Sequence, residues 1–331
     1  MKKVIFILIA LVVLVMGCQQ KQVNLNKQSN LNNTTNVIEK VLNKYKKINS
    51  FKADVTVNII VGNRKSNLNY VYAFEKPDKE YIRDLNTGNI AVVNGTYKII
   101  YLKNMNTIQI IKFYNKSKIK KMFFRKILSD LSSCEVNYIG NQTIDNTKCY
   151  VLEVNTKNTP PYKLWVNSKL LPVKVEYTAQ TKLIPNVRLI VYYKNISINN
   201  VNDSVFNFTI PKNVNISKSY ICDNFSQAEN HISFRPFIPK YTDGLNLYEV
   251  SVTTNGYQTL QAIYKNNTNY IYITETNKNS TPPIGIKTVN VNGTKVYLGM
   301  HYCSFIKNGI HVLLLSNINT SDMLKIVKSM I

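Results

Sequence analysis

The run Phe51-Lys52-Ala53-Asp54-Val55-Thr56-Val57-Asn58-Ile59 is followed, after Gly62-Asn63, by Leu68, Tyr70, Tyr72 and Phe74 at alternate positions. An apolar residue at every second position is what a half-buried strand requires, because successive side chains leave the pleated backbone on opposite faces. Gly62-Asn63 sits where the chain must reverse. The stretch therefore predicts paired antiparallel strands with one greasy face, and sets the expectation of a mainly β protein.

Upstream of it the period is helical. Val37, Ile38, Val41, Leu42, Tyr45 and Ile48 recur at helix spacing, with Glu39, Lys40, Lys44 and Lys47 on the other face, so a helix is expected over Asn36–Asn49. Downstream, Asn94-Gly95, Asn292-Gly293 and Asn308-Gly309 supply the positive φ that tight hairpin turns demand. One stretch differs from the strands around it. From Ser117 to Leu131, Ile119, Met122, Phe123, Ile127, Leu128 and Leu131 lie beside Lys118, Lys120, Lys121, Arg125 and Lys126, the pattern of a second amphipathic helix. Strand patterns then cover Val151–Val154, Tyr162–Val166, Val173–Tyr177 and Leu189–Tyr193. Val214–Asp223 reads as an inter-domain connection. Beyond it, strands are expected at Leu245–Val252, Leu260–Tyr264, Tyr270–Thr274, Ile286–Val291, Lys295–Leu298 and Gly309–Leu315, with a last helix over Ser321–Ile331.

The N-terminus is of another kind. Met1-Lys2-Lys3, an uncharged apolar run from Val4 to Met16, and then Gly17-Cys18 have the form of a secretory signal peptide ending in a lipid-attachment cysteine. The apolar run is shorter than the roughly 20 residues that cross a hydrocarbon core. The expectation is a leader over residues 1–17, lipidation at Cys18, and a location on the extracytoplasmic face of the cytoplasmic membrane. Residues 18–35 are rich in Gln, Asn, Lys, Ser and Thr and read as a disordered tether. It lets the folded part sit roughly 20–25 Å from the anchor.

Removing these 35 residues from 331 leaves about 295, room for two domains, placed at 36–215 and 222–331. The formal net charge of +24 would point to nucleic acid in a cytosolic protein. Export replaces that partner with lipid headgroups, wall polymers and glycans, and no nucleic-acid partner is expected. Lysine excess that keeps a β-rich protein soluble explains the charge equally well. Sequons such as Asn94-Gly95-Thr96 and Asn292-Gly293-Thr294 allow glycosylation. Apart from Cys18 the cysteines are Cys134, Cys149, Cys222 and Cys303, so disulfides are allowed in three connectivities. If each domain closes its own pair, the bridges are Cys134–Cys149 and Cys222–Cys303. A two-residue turn at Asp145-Asn146 would set Cys149 opposite Gln142, and the first bridge then forms only if the chain before Glu135 folds back. Buried thiols are the other reading.

In order along the chain, Ser50-Phe51-Lys52-Ala53-Asp54, Phe74-Glu75-Lys76-Pro77-Asp78-Lys79, Arg83, Val93-Asn94-Gly95-Thr96, Leu164-Trp165-Val166, Leu171-Pro172-Val173-Lys174 and Asp203-Ser204-Val205-Phe206 resemble the lipoprotein-carrier family, LolA/LolB-like. Residues 222–331, with Ser233-Phe234, Ile238-Pro239, Leu245-Asn246-Leu247 and the hairpin at Val291-Asn292-Gly293, are similar to an extracytoplasmic domain called DUF4367. The first resemblance implies a curved antiparallel half-barrel with a helical lid, whose apolar cavity binds lipid or the acyl part of lipoproteins. The second implies a smaller α+β domain and no chemistry. On this reading the lid residues that contact lipid are Ile38, Leu42, Tyr45, Met122, Phe123, Ile127 and Leu128. The same residues serve equally to complete a dry core.

No HExxH, GxSxG or Walker pattern occurs. His301 stands two residues from Cys303, a spacing weak for a metal site, and 18 carboxylates serve the whole chain. No enzyme activity, catalytic residue, metal or cofactor is expected. The leading function is membrane-anchored lipid or lipoprotein binding; the alternatives are an envelope interaction module with a filled core and a sensor domain.

Overall fold

The computed structural model describes residues 31–156, 160–179, 187–278 and 287–331. The leader, Cys18 and the tether up to residue 30 lie outside them. In chain order the elements are α1 (Leu31–Lys46), β1 (Ser50–Val61), β2 (Arg64–Glu75), β3 (Lys79–Asp84), β4 (Ile90–Asn94), β5 (Tyr97–Leu102), β6 (Thr107–Phe113) and α2 (Phe123–Leu131). Then come β7 (Glu135–Ile144), β8 (Thr147–Asn155), β9 (Tyr162–Asn167), β10 (Pro172–Ala179), β11 (Val187–Ile198), β12 (Asn215–Cys222) and α3 (Phe225–Glu229). The chain closes with β13 (Asn246–Thr254), β14 (Gln258–Lys265), β15 (Tyr270–Thr276), β16 (Lys287–Val291), β17 (Thr294–Leu298), β18 (Tyr302–Lys307), β19 (Ile310–Ser316) and α4 (Thr320–Met330). The protein is mainly β with few helices, as the alternation in β1 and β2 predicts.

Two compact units divide the chain, one from residues up to Val92 and Lys121–Phe208, the other from Val93–Lys120 and Thr209–Ile331. The contiguous division at 36–215 and 222–331 therefore differs from the structure at the internal segment 93–120 and at residues 209–215, both of which group with the second unit. Residues 93–120 group with the second unit, because β6 runs parallel to β12, Thr107 opposite Asn215 through Phe113 opposite Ile221. Val214–Asp223, expected as a connection, is thus largely a strand.

In the first unit the strands pair in the order β3-β2-β1-β11-β10-β9-β8-β7, all antiparallel. This is the open, curved sheet expected of the fold class. Phe51, Ala53, Val55, Val57 and Ile59 all point inward and are buried. The same core takes Val41 and Tyr45 of α1, which ends at Lys46 rather than Asn49, then Ile48 just beyond it, and Phe124, Ile127 and Leu131 of α2. Helix α1 begins at Leu31, five residues before the expected start and inside the presumed tether. The second helix is shorter than expected, Phe123–Leu131 rather than Ser117–Leu131. A short 3-10 turn at Lys116–Lys118, capped by the Asn115 side chain, replaces its start, and Phe123 has a positive φ of 42° that a continuous helix does not tolerate.

In the second unit the order is β5-β6-β12-β13-β14-β15-β19-β18-β17-β16, antiparallel except at β6–β12. Its core includes Val250, Leu260, Ile273, Phe305 and Leu314 from the strands with Met323, Ile326 and Val327 from α4. Asn319 caps α4 through its side chain, which accepts from the Asp322 N–H at 3.0 Å. The Asn-Gly hairpins behave as their composition demands: Asn292 and Asn308 have φ of 48° and 51°, followed by Gly293 and Gly309 at 80° and 74°.

All four described cysteines are free thiols, so neither the Cys134–Cys149 nor the Cys222–Cys303 bridge is formed. Asp145 and Asn146, both at positive φ, make the two-residue turn, and Cys149 pairs across to Gln142. That register carries Cys149 away from Cys134, which follows α2 and whose N–H donates to the Asp130 carbonyl.

Candidate functional site

The half-barrel interior under the helices is filled by rings. Phe124 is fully buried, with its ring centroid 4.2 Å from Phe51, 5.1 Å from Tyr45, 6.3 Å from Phe74 and 6.2 Å from Tyr193. Ile127 and Leu131 continue the same face of α2 one and two turns on. Phe123, at the first helical position, is half-buried and meets Tyr70 and Tyr72 at 5.7 and 5.2 Å. Burial of the hydroxyls pushes Tyr45, Tyr72 and Tyr193 well above the ordinary phenol range. These tyrosines are neutral packing elements at any physiological pH.

A buried polar network fixes the start of α2. The Tyr72 hydroxyl lies 2.7 Å from Glu80 Oε1 and 2.9 Å from the Met122 carbonyl, and it accepts from the Arg125 N–H at 3.3 Å. The Met122 N–H donates to Glu80 Oε1 at 3.2 Å. Glu80 is 2% exposed, and Arg125 Nη1 stands 3.9 Å from its other oxygen. Tyr72 thus plays the part of a cap for a helix whose own Ncap residue, Met122, has no side chain that can do so. Met122 itself is not helical; it contributes its backbone.

A groove of about 310 Å³ lies between α1, α2 and the β2–β3 turn. Its apolar lining is Leu42 and Tyr45 of α1, Phe74 and Pro77 around the turn, and Leu128 and Leu131 of α2. A volume of that size lies at the small end of ligand sites, about 300–1,000 Å³. Of the seven residues expected to contact lipid, Leu42, Tyr45 and Leu128 come together here. Ile127 lies beneath them in the core, while Ile38 and Phe123 pack half-buried against that core. Phe74 and Leu131, outside the expected set, also line the groove, and Phe124 lies beneath it in the core. Phe124 was legible, since 124, 127, 128 and 131 also recur at helical spacing.

His301 offers its backbone carbonyl to the Ser316 N–H, and Cys303 is buried in the second core. Burial moves Cys303 up to about 12 and Cys222 up to about 11, which disfavours the thiolate that a metal or a nucleophilic role would need.

Comparison with known proteins gives one family match, to a family described as predicted periplasmic protein (DUF2092), over residues 110–217. An uncharacterized protein of Methanocaldococcus jannaschii is 29% identical over 322 residues, spanning 90% of this chain and 92% of its own length. Among solved structures, the Pseudomonas aeruginosa MucA/MucB complex aligns with a TM-score of 0.36 and 12% identity, covering 88% of this chain and 96% of the other. A LolA superfamily protein from Nitrosomonas europaea aligns with a TM-score of 0.28 and 15% identity, over 52% of this chain and 97% of its own.

Proposed function

We propose that this chain is an extracytoplasmic protein, anchored by lipid on Cys18, that takes one acyl chain of a lipid or of an acylated protein into the groove between α1 and α2. The observation that carries the reading is the groove itself: an apolar floor of Leu42, Tyr45, Phe74 and Leu128 left open beside the aromatic core. Water in such a groove is displaced at a gain of about 25 cal/mol per Å² of apolar surface covered, so even a partly inserted chain contributes several kcal/mol. The leader-like start and the periplasmic description of the family matching residues 110–217 support the location. The DUF4367-like reading of residues 222–331 belongs to this proposal and assigns them no chemistry.

Native mass spectrometry of the protein after mild extraction tests it. Reproducible lipid-sized adducts, lost when the groove is blocked by Leu128→Trp, are the expected result. A clean apo mass under conditions that preserve adducts on a known lipid binder would refute the acyl site. For the anchor, Cys18→Ala should leave the protein unprocessed or release it from the membrane fraction; a mature mutant that stays membrane-bound would transfer retention to the basic surface.

A second reading has its own observation. Phe124 packs on Phe51 at 4.2 Å with its ring tilted by 30°, which supports an interior filled by the protein's own side chains. On that reading the first unit is an envelope interaction module, and the apo mass would come with a retrieved protein partner.

A further inference from the structure

We infer that the occupant of the groove is an anionic single-chain amphiphile, its head an oxyanion held at a cationic rim while its chain lies on the apolar floor. This rests on the acyl-groove reading and adds the chemistry of the head. Three separate stretches of chain bring Lys46, Lys76, Lys121 and Arg125 to the lining of this one groove, and no Asp or Glu is among its twelve lining residues. Basic residues are thus a third of the lining, against 42 of 331 in the chain, so general lysine excess does not account for them.

Apart from Glu80, which is buried beneath Arg125, the carboxylates paired near this groove hold cations outside its lining. Glu75 and Asp203 hold Lys79, and Asp130 holds Lys126 at 2.6 Å. Among the described residues Lys76 donates to the Lys46 carbonyl at 3.3 Å and Lys121 to Ser129 Oγ at 3.2 Å, both neutral acceptors, while Arg125 Nη2 donates to the Pro77 carbonyl at 2.6 Å and its Nη1 pairs with buried Glu80 at 3.9 Å. Arg125 Nη1 is buried and makes no hydrogen bond among the described residues, its charge being balanced by the Glu80 carboxylate 3.9 Å away, so the lysines are the cations left for a ligand. The Tyr45 hydroxyl is buried and likewise without a hydrogen-bond partner among the described residues. Three lysines and no carboxylate lining an apolar floor are complementary to one ligand type, a negative head on a single chain. The groove volume has room for one chain rather than a two-chain lipid.

The test is titration calorimetry on the full protein with three probes: 1-palmitoyl lysophosphatidylglycerol, 1-palmitoyl lysophosphatidylcholine and inorganic phosphate, the lipids below their micelle concentrations. Both lipids should bind, the anionic one about tenfold tighter, with the preference shrinking as salt rises and the Debye length shortens. The double variant Lys76→Ala/Lys121→Ala, at exposed positions, should bring the ratio close to one and leave choline-lipid affinity in place. A control pair on the same unit, Lys52→Ala/Lys194→Ala, removes the same charge elsewhere and should preserve the ratio. Equal affinity of the wild type for both lipids, or collapse of the ratio in the control pair, overturns the head-group inference while leaving the acyl site standing. Absence of binding by either lipid overturns the acyl reading itself. Phosphate that displaces the lipid at equal concentration would assign the groove to a free oxyanion and overturn both.

Discussion

Truncating Phe124 to alanine separates the helix that seals a core from the helix that only covers one. The ring is fully buried and touches Tyr45, Phe51, Phe74 and Tyr193. Phe→Ala at such a site removes the transfer free energy of the ring and leaves a cavity among stiff aromatic neighbours, for a loss of about 3–5 kcal/mol. Part of that loss is ring–ring attraction, about 0.5–1.5 kcal/mol per well-placed pair. Taking 4 kcal/mol, the melting temperature of a unit of this size should fall by about 8–16 °C. The protein's one tryptophan, Trp165, is 4% exposed in β9, so its fluorescence during urea unfolding reports the first unit alone. Leu128→Ala, at the half-buried groove wall, should cost about 1–2 kcal/mol in the same assay. A Phe124→Ala loss below about 1.5 kcal/mol, or one no larger than that of Leu128→Ala, would refute the sealed-core argument.

Leu128→Asp should abolish binding of a fluorescent fatty-acyl probe while destabilising the Trp165 transition by about 1–3 kcal/mol, well short of Phe124→Ala; a loss as large as that of Phe124→Ala would make the groove wall a core element. In the second unit Glu275 is fully buried beside the Phe237 N–H, and desolvation raises its carboxyl to about 7. The unfolded chain titrates near 4.3, so the folded state holds more protons between those values; stability falls as pH rises through that window, by about 3 kcal/mol in full above pH 7. Glu275→Gln should flatten calorimetric melting between pH 5 and 8 and raise the midpoint at pH 8; an unchanged slope refutes the assignment. In the native protein a thiol reagent should modify Cys134 and spare Cys149, Cys222 and Cys303, as read by peptide mass mapping. Labelling of Cys303 at the rate of Cys134 would contradict its burial.

The strands of the fold were legible because their signals are local. Period-two alternation from Phe51 to Ile59 and Asn-Gly at 292 and 308 need only neighbours in sequence to act, and the structure follows both. The extent of α2 was not legible. Lysine-rich residues 118–121 read as a helix face, but Glu80 and Tyr72, about forty and fifty residues away, hold Met122 non-helical and start the helix at Phe123. The same long-range dependence hid β12: Val214–Asp223 has little alternation of its own and is a strand because β6 and β13 flank it. At the site, Leu42, Tyr45 and Leu128 could be read from helical spacing. Lys46, Lys76 and Arg125 could not, since only the tertiary fold brings the end of α1, the β2–β3 turn and α2 together.

The segment 93–120 also fixes an order in time. Strands β5 and β6 leave the ribosome about 100 residues before β12, the strand that β6 pairs with in parallel. At about 5–20 residues per second this leaves a newborn hairpin waiting on the order of 5–20 s with Ile108 and Phe113 uncovered. Over that interval β6 carries an unpaired edge, the hazard that lysines on such strands guard against, and Lys98 and Lys112 are placed to do so. A polypeptide interleaved in this way cannot be divided into two independently maturing halves by any single cut, so its biogenesis depends on the whole chain arriving.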